Sequence, residues 1–384
     1  MATEIEEEPT MKPSGPGRPI GRREFLKRGT LAGVGVGLLS FAGKAWKVAA
    51  TPAGVGRYAP LGRTAMRISD ISFGSSRLRA GQEALVLNAF DLGVNYFDTA
   101  NGYADGESEM TIGRALRGKR DKAFIASKVL AGPNDSRESI MQQLEASLRR
   151  LQTDHVDVYF NHAVNDVARL KNPEWYEFAE QAKKQGKIRF TGVSGHAGRL
   201  SECLDYAIDS GRFDVILAAY NFGRDPAFYQ RFLRRFDMVA VQPELPRIIR
   251  KAKARGMGVI AMKTLMGARL NDMRPYETAG ATFSQAAFRW VLSNPDVDAL
   301  IVTMPSAALI DEYLGAAGSR SAGPADAALL ERYVRMNNSS HCRTGCAACE
   351  SACPAGVPIA EALRTRMYAE DYCDLRMARS EYAR

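Results

Sequence analysis

Three features that would each assign a chain to a broad class are missing from this sequence. The longest weakly apolar run, residues 31–42, is too short to cross a bilayer comfortably. The formal net charge of +9 is spread along 384 residues and forms no basic run, so we expect no nucleic-acid partner. No segment of about 20 to 50 residues repeats at a fixed period, which excludes a solenoid. What remains is an ordinary globular composition, with 46% hydrophobic and 25% charged residues.

A fourth absence bears on the fold. No Gly-x-Gly-x-x-Gly turn follows the first strand-like segment, which argues against an open, doubly wound sheet. Strand-like segments rich in Val, Ile and Phe alternate instead with helix-like segments over about 250 residues. These eight segments are residues 68–73, 94–97, 123–127, 156–160, 188–193, 215–220, 259–262 and 300–303. Eight such units predict an α/β fold of the closed (β/α)8, or TIM, barrel type.

Two helix starts are also marked. Ser136 is a favoured capping residue, and it precedes apolar residues at near-helical spacing, at positions 140, 144, 148 and 151. Pro173 suits the first turn of a helix, and Gly186 follows where that helix would end. Both segments lie between predicted strands, which agrees with the alternation of a barrel.

The composition changes at both ends of the predicted barrel. Residues 1–20 are polar and rich in Pro and Gly, and we expect them to be disordered. Residues 317–327 are rich in Gly, Ala, Ser and Pro, as a linker would be. We therefore predict a leader over residues 1–53, the barrel over residues 54–316, and a small helical, Cys-containing segment over residues 317–384.

The leader resembles a twin-arginine export signal. Its features are Arg22-Arg23, Phe25-Leu26-Lys27, the mild apolar run 31–42, and Lys44. Val48-Ala49-Ala50 is a candidate cleavage site with small residues. The resemblance implies the twin-arginine machinery as a partner and the periplasm as the destination. The alternatives are a chain tethered to the membrane by an uncleaved signal, and a cytoplasmic chain with a basic arm.

Polar side chains follow three neighbouring strands of the predicted barrel. Asp98 ends the second predicted strand and Tyr103 follows it, while Lys128 and His162 follow the next two strands. Because the carboxyl ends of parallel strands meet at one mouth of a barrel, we expect these four side chains to converge there. Each has a structural interpretation when taken alone: a helix cap, a loop aromatic, a strand-end charge and a core histidine.

These residue types suit carbonyl reduction, which needs a hydride donor for the carbon and a proton for the oxygen. A free tyrosine, with a pKa of about 10, gives up its proton reluctantly at neutral pH. An ammonium group nearby favours the phenolate and makes Tyr103 a better acid. Lys128 can supply that charge, Asp98 can keep Lys128 protonated, and His162 can hydrogen-bond the carbonyl oxygen and orient it.

The strand-end set resembles that of the aldo-keto reductases, over about residues 58 to 304. Flanking matches are Leu61-Gly62-Arg63-Thr64, Phe73-Gly74, Gly192-Val193-Ser194-Gly195-His196 and Tyr220-Asn221. The resemblance implies a (β/α)8 barrel, NADP(H) or NAD(H) as cofactor, and the roles just described for the four residues. Met262-Lys263 is similar to the branch of the family that carries a ferredoxin-like tail.

The resemblance also indicates where a dinucleotide would bind. The candidate cofactor-binding residues are Ser194, Tyr220, Asn221, Lys263, Met304 and Ser306. Ser194 matches the first member of the family's Ser-Asn pair, but Gly195 stands where the Asn is expected. Leu217 stands at the position of the family's Gln and Met262 at that of its stacking Tyr. No Lys or Arg occurs near the predicted eighth strand to bind a 2′-phosphate, although Ser306 can reach a phosphate.

Four cysteines are crowded near the carboxyl terminus. The run is Cys342-x3-Cys346-x2-Cys349-x3-Cys353-Pro354, which is close to a bacterial ferredoxin run with a first gap that is one residue longer. Thiolates suit iron–sulfur or zinc ligation, so we predict a [4Fe-4S] cluster, with zinc or disulfides as alternatives. Cys373 could replace Cys353 as the fourth ligand. Cys203 lies in a helix-like segment and is expected to be buried and inert.

The sequence as a whole predicts an oxidoreductase that interconverts a small carbonyl and alcohol with NAD(P)H. Tyr103 would be the general acid and base. An accessory iron–sulfur cluster would exchange electrons with a redox partner protein. The alternative is an iron–sulfur electron-transfer protein on a barrel that no longer binds nicotinamide productively, because positions 195, 217 and 262 lack the family's polar or aromatic groups.

Overall fold

Eight parallel strands close into a barrel in the computed structural model, which describes residues 54–196, 198–225, 228, 242–265, 273–278, 280–337, 349, 351–370 and 375–382. The barrel strands are β3 Ile71–Gly74, β4 Tyr96–Asp98, β5 Phe124–Val129, β6 Val156–Asn161, β7 Ile188–Gly195, β8 Val215–Ala219, β9 Gly258–Met262 and β10 Ala299–Thr303. Each strand pairs with the next along the chain, and β10 pairs with β3. The predicted closed barrel is confirmed, and the open sheet is excluded.

Helices connect the strands. They are α1 Glu83–Asp91, α2 Glu107–Ala115, α3 Arg137–Leu151, α4 Val167–Leu170, α5 Pro173–Lys184, α6 Leu200–Ser210, α7 Leu245–Ala254, α8 Phe283–Leu292 and α9 Ala307–Leu314. The two predicted helix starts are confirmed: the Ser136 hydroxyl accepts from the Ser139 amide at 3.2 Å, and Asn172 caps the helix that begins at Pro173.

A hairpin of two short strands, β1 Tyr58–Pro60 and β2 Arg67–Ser69, precedes the barrel and packs into its amino end. The sequence predicted a single strand over residues 68–73, whereas the structure divides it at Asp70. The cause is tertiary, because the Asp70 carboxylate accepts from the Gly318 amide at 2.9 Å and its carbonyl accepts from Leu300 at 2.8 Å. The hairpin turn requires Gly62, since its φ is +49° and an added Cβ would lie 2.3 Å from the Gly258 nitrogen.

Apolar side chains fill the barrel interior. Alternate residues of each strand point inward, and the buried inner set includes Tyr96, Ala126, Val158, Phe160, Val215, Leu217 and Ile260. The ring of Phe160 lies over Gly192, where a Cβ would be 2.3 Å from the ring carbon Cε1. Asp98 and Lys128 lie two residues beyond inward-facing Tyr96 and Ala126. The same alternation therefore directs both side chains inward, at the carboxyl end.

Three further helices follow the barrel: α10 Pro324–Asn337, α11 Ile359–Glu370 and α12 Leu375–Tyr382. Helix α10 packs on α8, with the rings of Tyr333 and Phe283 4.2 Å apart and an ion pair between Arg289 and Asp326 at 3.0 Å. Helices α11 and α12 pack on each other. Within the described residues, no helix combines the length and apolar character that crossing a membrane requires. The predicted segment boundaries at residues 53 and 316 stay predictions.

Candidate active site

The carboxyl end of the barrel holds a buried ion pair. Lys128 Nζ lies 2.6 Å from Asp98 Oδ2 and donates a second hydrogen bond to the Thr99 carbonyl, also at 2.6 Å. Both side chains are at most 2% exposed. The sheet register explains the pairing, because Asp98 lies beside Ala126 on the neighbouring strand and Lys128 is the next inward residue of that strand.

Burial acts on both members of the pair. Burial raises the pKa of Asp98 and lowers the pKa of Lys128. The positive charge of Lys128 opposes the first shift, and the negative charge of Asp98 opposes the second. Asp98 Oδ1 is buried without a hydrogen-bond partner in the part of the chain that the structure describes. An incompletely satisfied buried pair is weak evidence for stability, so its presence at a barrel mouth points to chemistry.

Tyr103 and His162 complete the cluster above the pair. Lys128 Nζ lies 5.0 Å from the centroid of the Tyr103 ring, and the rings of Tyr103 and His162 meet edge to face with centroids 5.6 Å apart. Both rings are half-buried. The structure thus brings the four predicted catalytic residues together, with the phenol between an ammonium and an imidazole.

The loop that carries Tyr103 turns sharply. Ala104, Asp105 and Gly106 have φ values of +52°, +55° and +89°, and helix α2 begins at the next residue. An added Cβ at Gly106 would lie 2.8 Å from Arg150 Cδ, so glycine fits where a larger residue would clash. Non-glycine residues with positive φ are uncommon and cluster at functional sites, which agrees with the position of Tyr103.

A cluster of buried hydroxyls supports the end of β4. Ser75 Oγ donates to the Asp98 carbonyl at 2.7 Å, and Ser108 Oγ lies 2.6 Å from Ser75 Oγ and 2.8 Å from Thr99 Oγ1. These contacts tie the segment of Asp98 and Thr99 to α2 and to the loop after β3. They hold both acceptors of the Lys128 ammonium in place.

Two of the predicted cofactor-binding residues have hydroxyls at the carboxyl ends of strands. Ser194 Oγ accepts from the Ala163 amide at 3.0 Å, and Ser306 Oγ accepts from the Leu309 amide at 3.3 Å as the N-cap of α9. Each hydroxyl can still donate its own proton to a ligand. The N-terminus of a helix, such as that of α9 behind Ser306, favours anions.

The other predicted cofactor-binding residues are placed differently. Tyr220 is buried against Trp290 at 5.3 Å, and its hydroxyl lies 2.8 Å from Asp225 Oδ2. Asn221 joins two loops, since its amide donates to the Lys263 carbonyl at 2.8 Å. Lys263 has a φ of +57°. Met304, which is 1% exposed, belongs to the core between strands and helices.

Two of the three positions that depart from the family's nicotinamide-binding pattern, 195 and 217, are tightly packed. An added Cβ at Gly195 would lie 2.7 Å from Leu200 Cδ1 and 3.1 Å from the Val164 carbonyl oxygen, so a larger residue would clash there. Leu217 is part of the inner core. Thr264, which the sequence interpretation missed, has a buried hydroxyl without a partner among the described residues. Its position just after β9 was the available signal.

The predicted metal ligands are described only in part. Cys342, Cys346 and the alternative ligand Cys373 lie outside the described residues, as does the twin-arginine motif. Cys349 and Cys353 are half-buried free thiols. No group of three or more metal-ligating side chains occurs in the described ranges, which omit two of the four predicted ligands. Cys203 is buried, and burial raises the pKa of its thiol to about 11, as expected of an inert thiol.

The barrel and the cluster at its mouth define an α/β-barrel oxidoreductase. The profile of the aldo/keto reductase family matches residues 71–275, which is more than half of the chain, and the chain belongs to that family. The matched region begins at β3 and includes Asp98, Tyr103, Lys128 and His162.

Individual relatives agree with this assignment. The L-galactose dehydrogenase of Arabidopsis thaliana is 25% identical over 292 residues, which cover 67% of this chain and 86% of that protein. The L-glyceraldehyde 3-phosphate reductase of Escherichia coli is 23% identical over 324 residues, covering 72% and 92% of the two chains. An aldo-keto reductase structure from Klebsiella pneumoniae in complex with NADPH is 25% identical, with a TM-score of 0.54, and covers 73% of this chain and 94% of that one.

Proposed function

We propose that the barrel mouth interconverts a small carbonyl compound and its alcohol with NAD(P)H as the redox partner. The observation that carries the proposal is the contact of Tyr103 with both the Lys128 ammonium and the His162 ring. A phenol in that position can exchange a proton with a substrate oxygen, and a proton donor of this kind accelerates reactions by about 10²- to 10⁴-fold.

The residues divide the work at the substrate oxygen. In the reductive direction, Tyr103 Oη gives its proton to the carbonyl oxygen, and Lys128 stabilises the phenolate that forms. Asp98 keeps Lys128 protonated against the effect of burial, and His162 orients the carbonyl oxygen by a hydrogen bond. Bound NAD(P)H supplies the hydride that the carbonyl carbon requires. In the oxidative direction, the Tyr103 phenolate takes the proton back from the alcohol.

The mouth fits the phosphates of a dinucleotide better than its nicotinamide amide. Ser306 at the start of α9 and the Thr264 hydroxyl, which has no partner within the described ranges, would hold phosphate oxygens, and Ser194 would hold the amide. The strands β9 and β10, which these two phosphate-binding candidates follow, are neighbours in the barrel. The NADPH complex of the Klebsiella relative supports this choice of cofactor.

The decisive experiment compares wild-type protein with Tyr103→Phe. A panel of small aldehydes and ketones is reduced with NADPH or NADH, and cofactor oxidation is followed. We expect the variant to lose about 10²- to 10⁴-fold in kcat with an unchanged circular dichroism spectrum, because only the acidic proton is removed. Wild-type turnover by Tyr103→Phe would refute the assignment of the proton donor.

A second candidate function follows from positions 195, 217 and 262, which lack the polar or aromatic groups of the family's pattern. A barrel that bound no nicotinamide could still serve as the scaffold of an electron-transfer protein. Titration of the intrinsic Trp fluorescence with NADPH and NADH separates the two functions. Saturable quenching at micromolar cofactor favours the reductase, and the absence of any response favours the electron-transfer protein.

We further propose that Cys342, Cys346, Cys349 and Cys353 bind a [4Fe-4S] cluster. The spacing of the thiols, the Pro after the last one, and the free state of Cys349 and Cys353 support this. Anaerobic purification should yield a brown protein with about four irons and four sulfides per chain. A colourless zinc protein would refute the cluster. Comparing Cys353→Ser with Cys373→Ser identifies the fourth ligand, because only the ligand's variant should lose iron.

We also propose that the leader directs twin-arginine export to the periplasm, which fits a chain that folds around a cluster before transport. A reporter fused to the full chain should reach the periplasm, and Arg22→Lys combined with Arg23→Lys should retain it in the cytoplasm. Export of the double variant at the wild-type level would refute this route.

A further inference from the structure

Arg169, on the short helix α4, donates hydrogen bonds from every nitrogen of its guanidinium. Nε donates to the Ala131 carbonyl at 2.7 Å, and Nη1 donates to the Ala163 carbonyl at 3.0 Å. Nη2 donates to both Asn161 Oδ1 and the His162 carbonyl, each at 2.8 Å. Three of the four acceptors thus belong to consecutive residues, with His162 in the middle.

The acceptors lie on the two segments that carry catalytic groups out of the barrel. Ala131 follows β5, the strand of Lys128, and residues 161–163 form the end of β6 and the turn after it. These segments are also tied to each other, because the His162 amide donates to the Val129 carbonyl at 2.8 Å. Arg169 therefore cross-links the exits of two adjacent strands at the backbone of His162.

The turn at His162 needs such support. Ala163 has a φ of +50°, in the left-handed region that non-glycine residues seldom adopt. Its amide is held from the other side by Ser194 Oγ at 3.0 Å, and its carbonyl is held by Arg169. A backbone fixed on both sides sets the direction in which the His162 side chain leaves the chain, and hence where its ring meets Tyr103.

A comparison with two arginines that contact a buried carboxylate shows what is unusual here. Arg120 and Arg189, at the opposite end of the barrel, pair with the Asp157 carboxylate. All four acceptors of Arg169 are neutral oxygens, and no carboxylate is among them. Burial lowers the pKa of the guanidinium. The charges of Asp135 and Asp166 favour the cation, but none of its four hydrogen bonds goes to them, and three of the four go to residues 161–163.

We propose that Arg169 is a positioning residue that fixes the His162 ring against Tyr103, so that the imidazole is preorganised for the substrate oxygen. The catalytic part of this inference rests on the proposed reductase function. The planar fork of the guanidinium is essential, since a lysine ammonium cannot reach four oxygens spread over two chain segments. Loss of the fork lets the turn relax, and a shift of about 1 Å in a catalytic group can cost about 10²-fold in rate.

The experiment replaces Arg169→Met in the full chain and uses Arg189→Met as the matched control. The control removes an exposed guanidinium that also bonds a buried acceptor, the Asp157 carboxylate, but at the end of the barrel away from the site. Histidine-selective NMR reads the ring environment directly, because the chain has only four histidines and the signal missing from His162→Gln identifies His162. We expect the His162 ring signals to move in Arg169→Met and to stay at their wild-type positions in Arg189→Met.

Steady-state kinetics provide a second measurement of the role of Arg169. We expect Arg169→Met to lower kcat by about 10- to 100-fold, while the KM for the nicotinamide cofactor changes by less than about two-fold. Arg169→Lys should show a smaller shift of the His162 signals and a smaller loss of kcat, and it decides the matter if Arg169→Met does not fold. Unchanged His162 ring signals in either folded variant would overturn the proposal.

The NMR and kinetic measurements distinguish a failure of the positioning role from a failure of the reductase function. If the wild-type protein reduces no carbonyl, or if Tyr103→Phe is fully active, the reductase assignment fails while the NMR comparison still decides whether Arg169 positions His162. If Tyr103→Phe is inactive and the NMR spectra of Arg169→Met and wild type coincide, the reductase stands and the positioning role is wrong.

Discussion

Asp157 at the amino end of the barrel and Asp98 at the carboxyl end are equally buried, but their surroundings differ. Asp157 Oδ2 accepts from Arg120 at 2.8 Å and from the Ile125 amide at 2.9 Å, while Oδ1 accepts from Arg189 at 2.7 Å. Asp98 faces one ammonium, and its Oδ1 is unpaired in the described structure. Both oxygens of the Asp157 carboxylate are hydrogen-bonded, whereas Oδ1 of Asp98 is left for another partner.

The amino end repeats its arrangement around the barrel. Asp214 accepts from the Thr191 amide and from Lys183, and Asp298 accepts from the Val259 amide and from Lys253. In each case a carboxylate accepts a neighbouring strand's N–H and pairs with a base that reaches solvent. Such pairs cost little desolvation on the basic side. The amino end is built for stability and the carboxyl end for chemistry, as the division of labour in TIM barrels requires.

The largest expected effect separates the two ends by activity. Lys128→Met removes the ammonium that acidifies Tyr103, so we expect kcat for carbonyl reduction to fall by about 10³-fold or more. Arg189→Met removes a cation at the amino end and should leave the kcat of the folded protein unchanged. Comparable losses in both variants would mean that the ends are not functionally distinct.

The second prediction concerns a residue at the amino end whose loss should affect stability and not activity. Asp157→Ala leaves the buried Ile125 amide without its acceptor and removes the hydrogen bonds of two guanidiniums, and a buried polar group left unsatisfied costs about 1–3 kcal/mol in the free energy of unfolding. Turnover per folded molecule should stay at the wild-type value. Denaturant unfolding measures the loss, with Asp157→Asn as the milder control because it keeps an oxygen for the Ile125 amide. An unfolding free energy within error of wild type would show that the amino-end network is not stabilising.

The convergence of the catalytic side chains could be predicted from the sequence, whereas tertiary contacts at both ends of the barrel could not. Asp98, Tyr103, Lys128 and His162 were predicted to meet because the carboxyl ends of parallel strands lie at one mouth of a barrel. The division of the first predicted strand at Asp70 could not be predicted, since it depends on the Gly318 amide far along the chain. The role of Arg169 was equally invisible, because its acceptors are mostly backbone carbonyls whose arrangement exists only in the folded chain.

A third prediction concerns the stability of the catalytic pair itself. Burial raises the pKa of Asp98, so its ionised form disfavours folding at neutral pH, and this penalty is relieved as the pH falls through the raised pKa. Burial lowers the pKa of Lys128, so its cationic form also disfavours folding at neutral pH, and that penalty is relieved as the pH rises. Both contributions are therefore unfavourable at neutral pH.

Replacing both charges should remove both penalties. Asp98→Leu combined with Lys128→Met is expected to be as stable as wild type or more stable by about 1–4 kcal/mol, although inactive. Each single variant should be less stable than the double variant, because it leaves one buried charge unpaired. Denaturant unfolding of wild type, the two single variants and the double variant gives the coupling free energy between Asp98 and Lys128. A double variant less stable than both single variants would contradict the interpretation that the pair is retained for catalysis.

The smallest expected effect tests whether the solvent-exposed bases at the amino end contribute little to stability. Lys183 is 39% exposed at its side chain and lies 3.1 Å from Asp214 Oδ2, but Asp214 also accepts from the Thr191 amide at 3.0 Å and pairs with Arg63 at 3.3 Å. Lys183→Met should therefore lower the free energy of unfolding by no more than about 1 kcal/mol, and added salt should shrink that difference by screening the pair. A loss as large as that of Asp157→Ala, insensitive to salt, would mean that the half-exposed cations carry the amino-end network and that the bonds from carboxylate to backbone N–H contribute little.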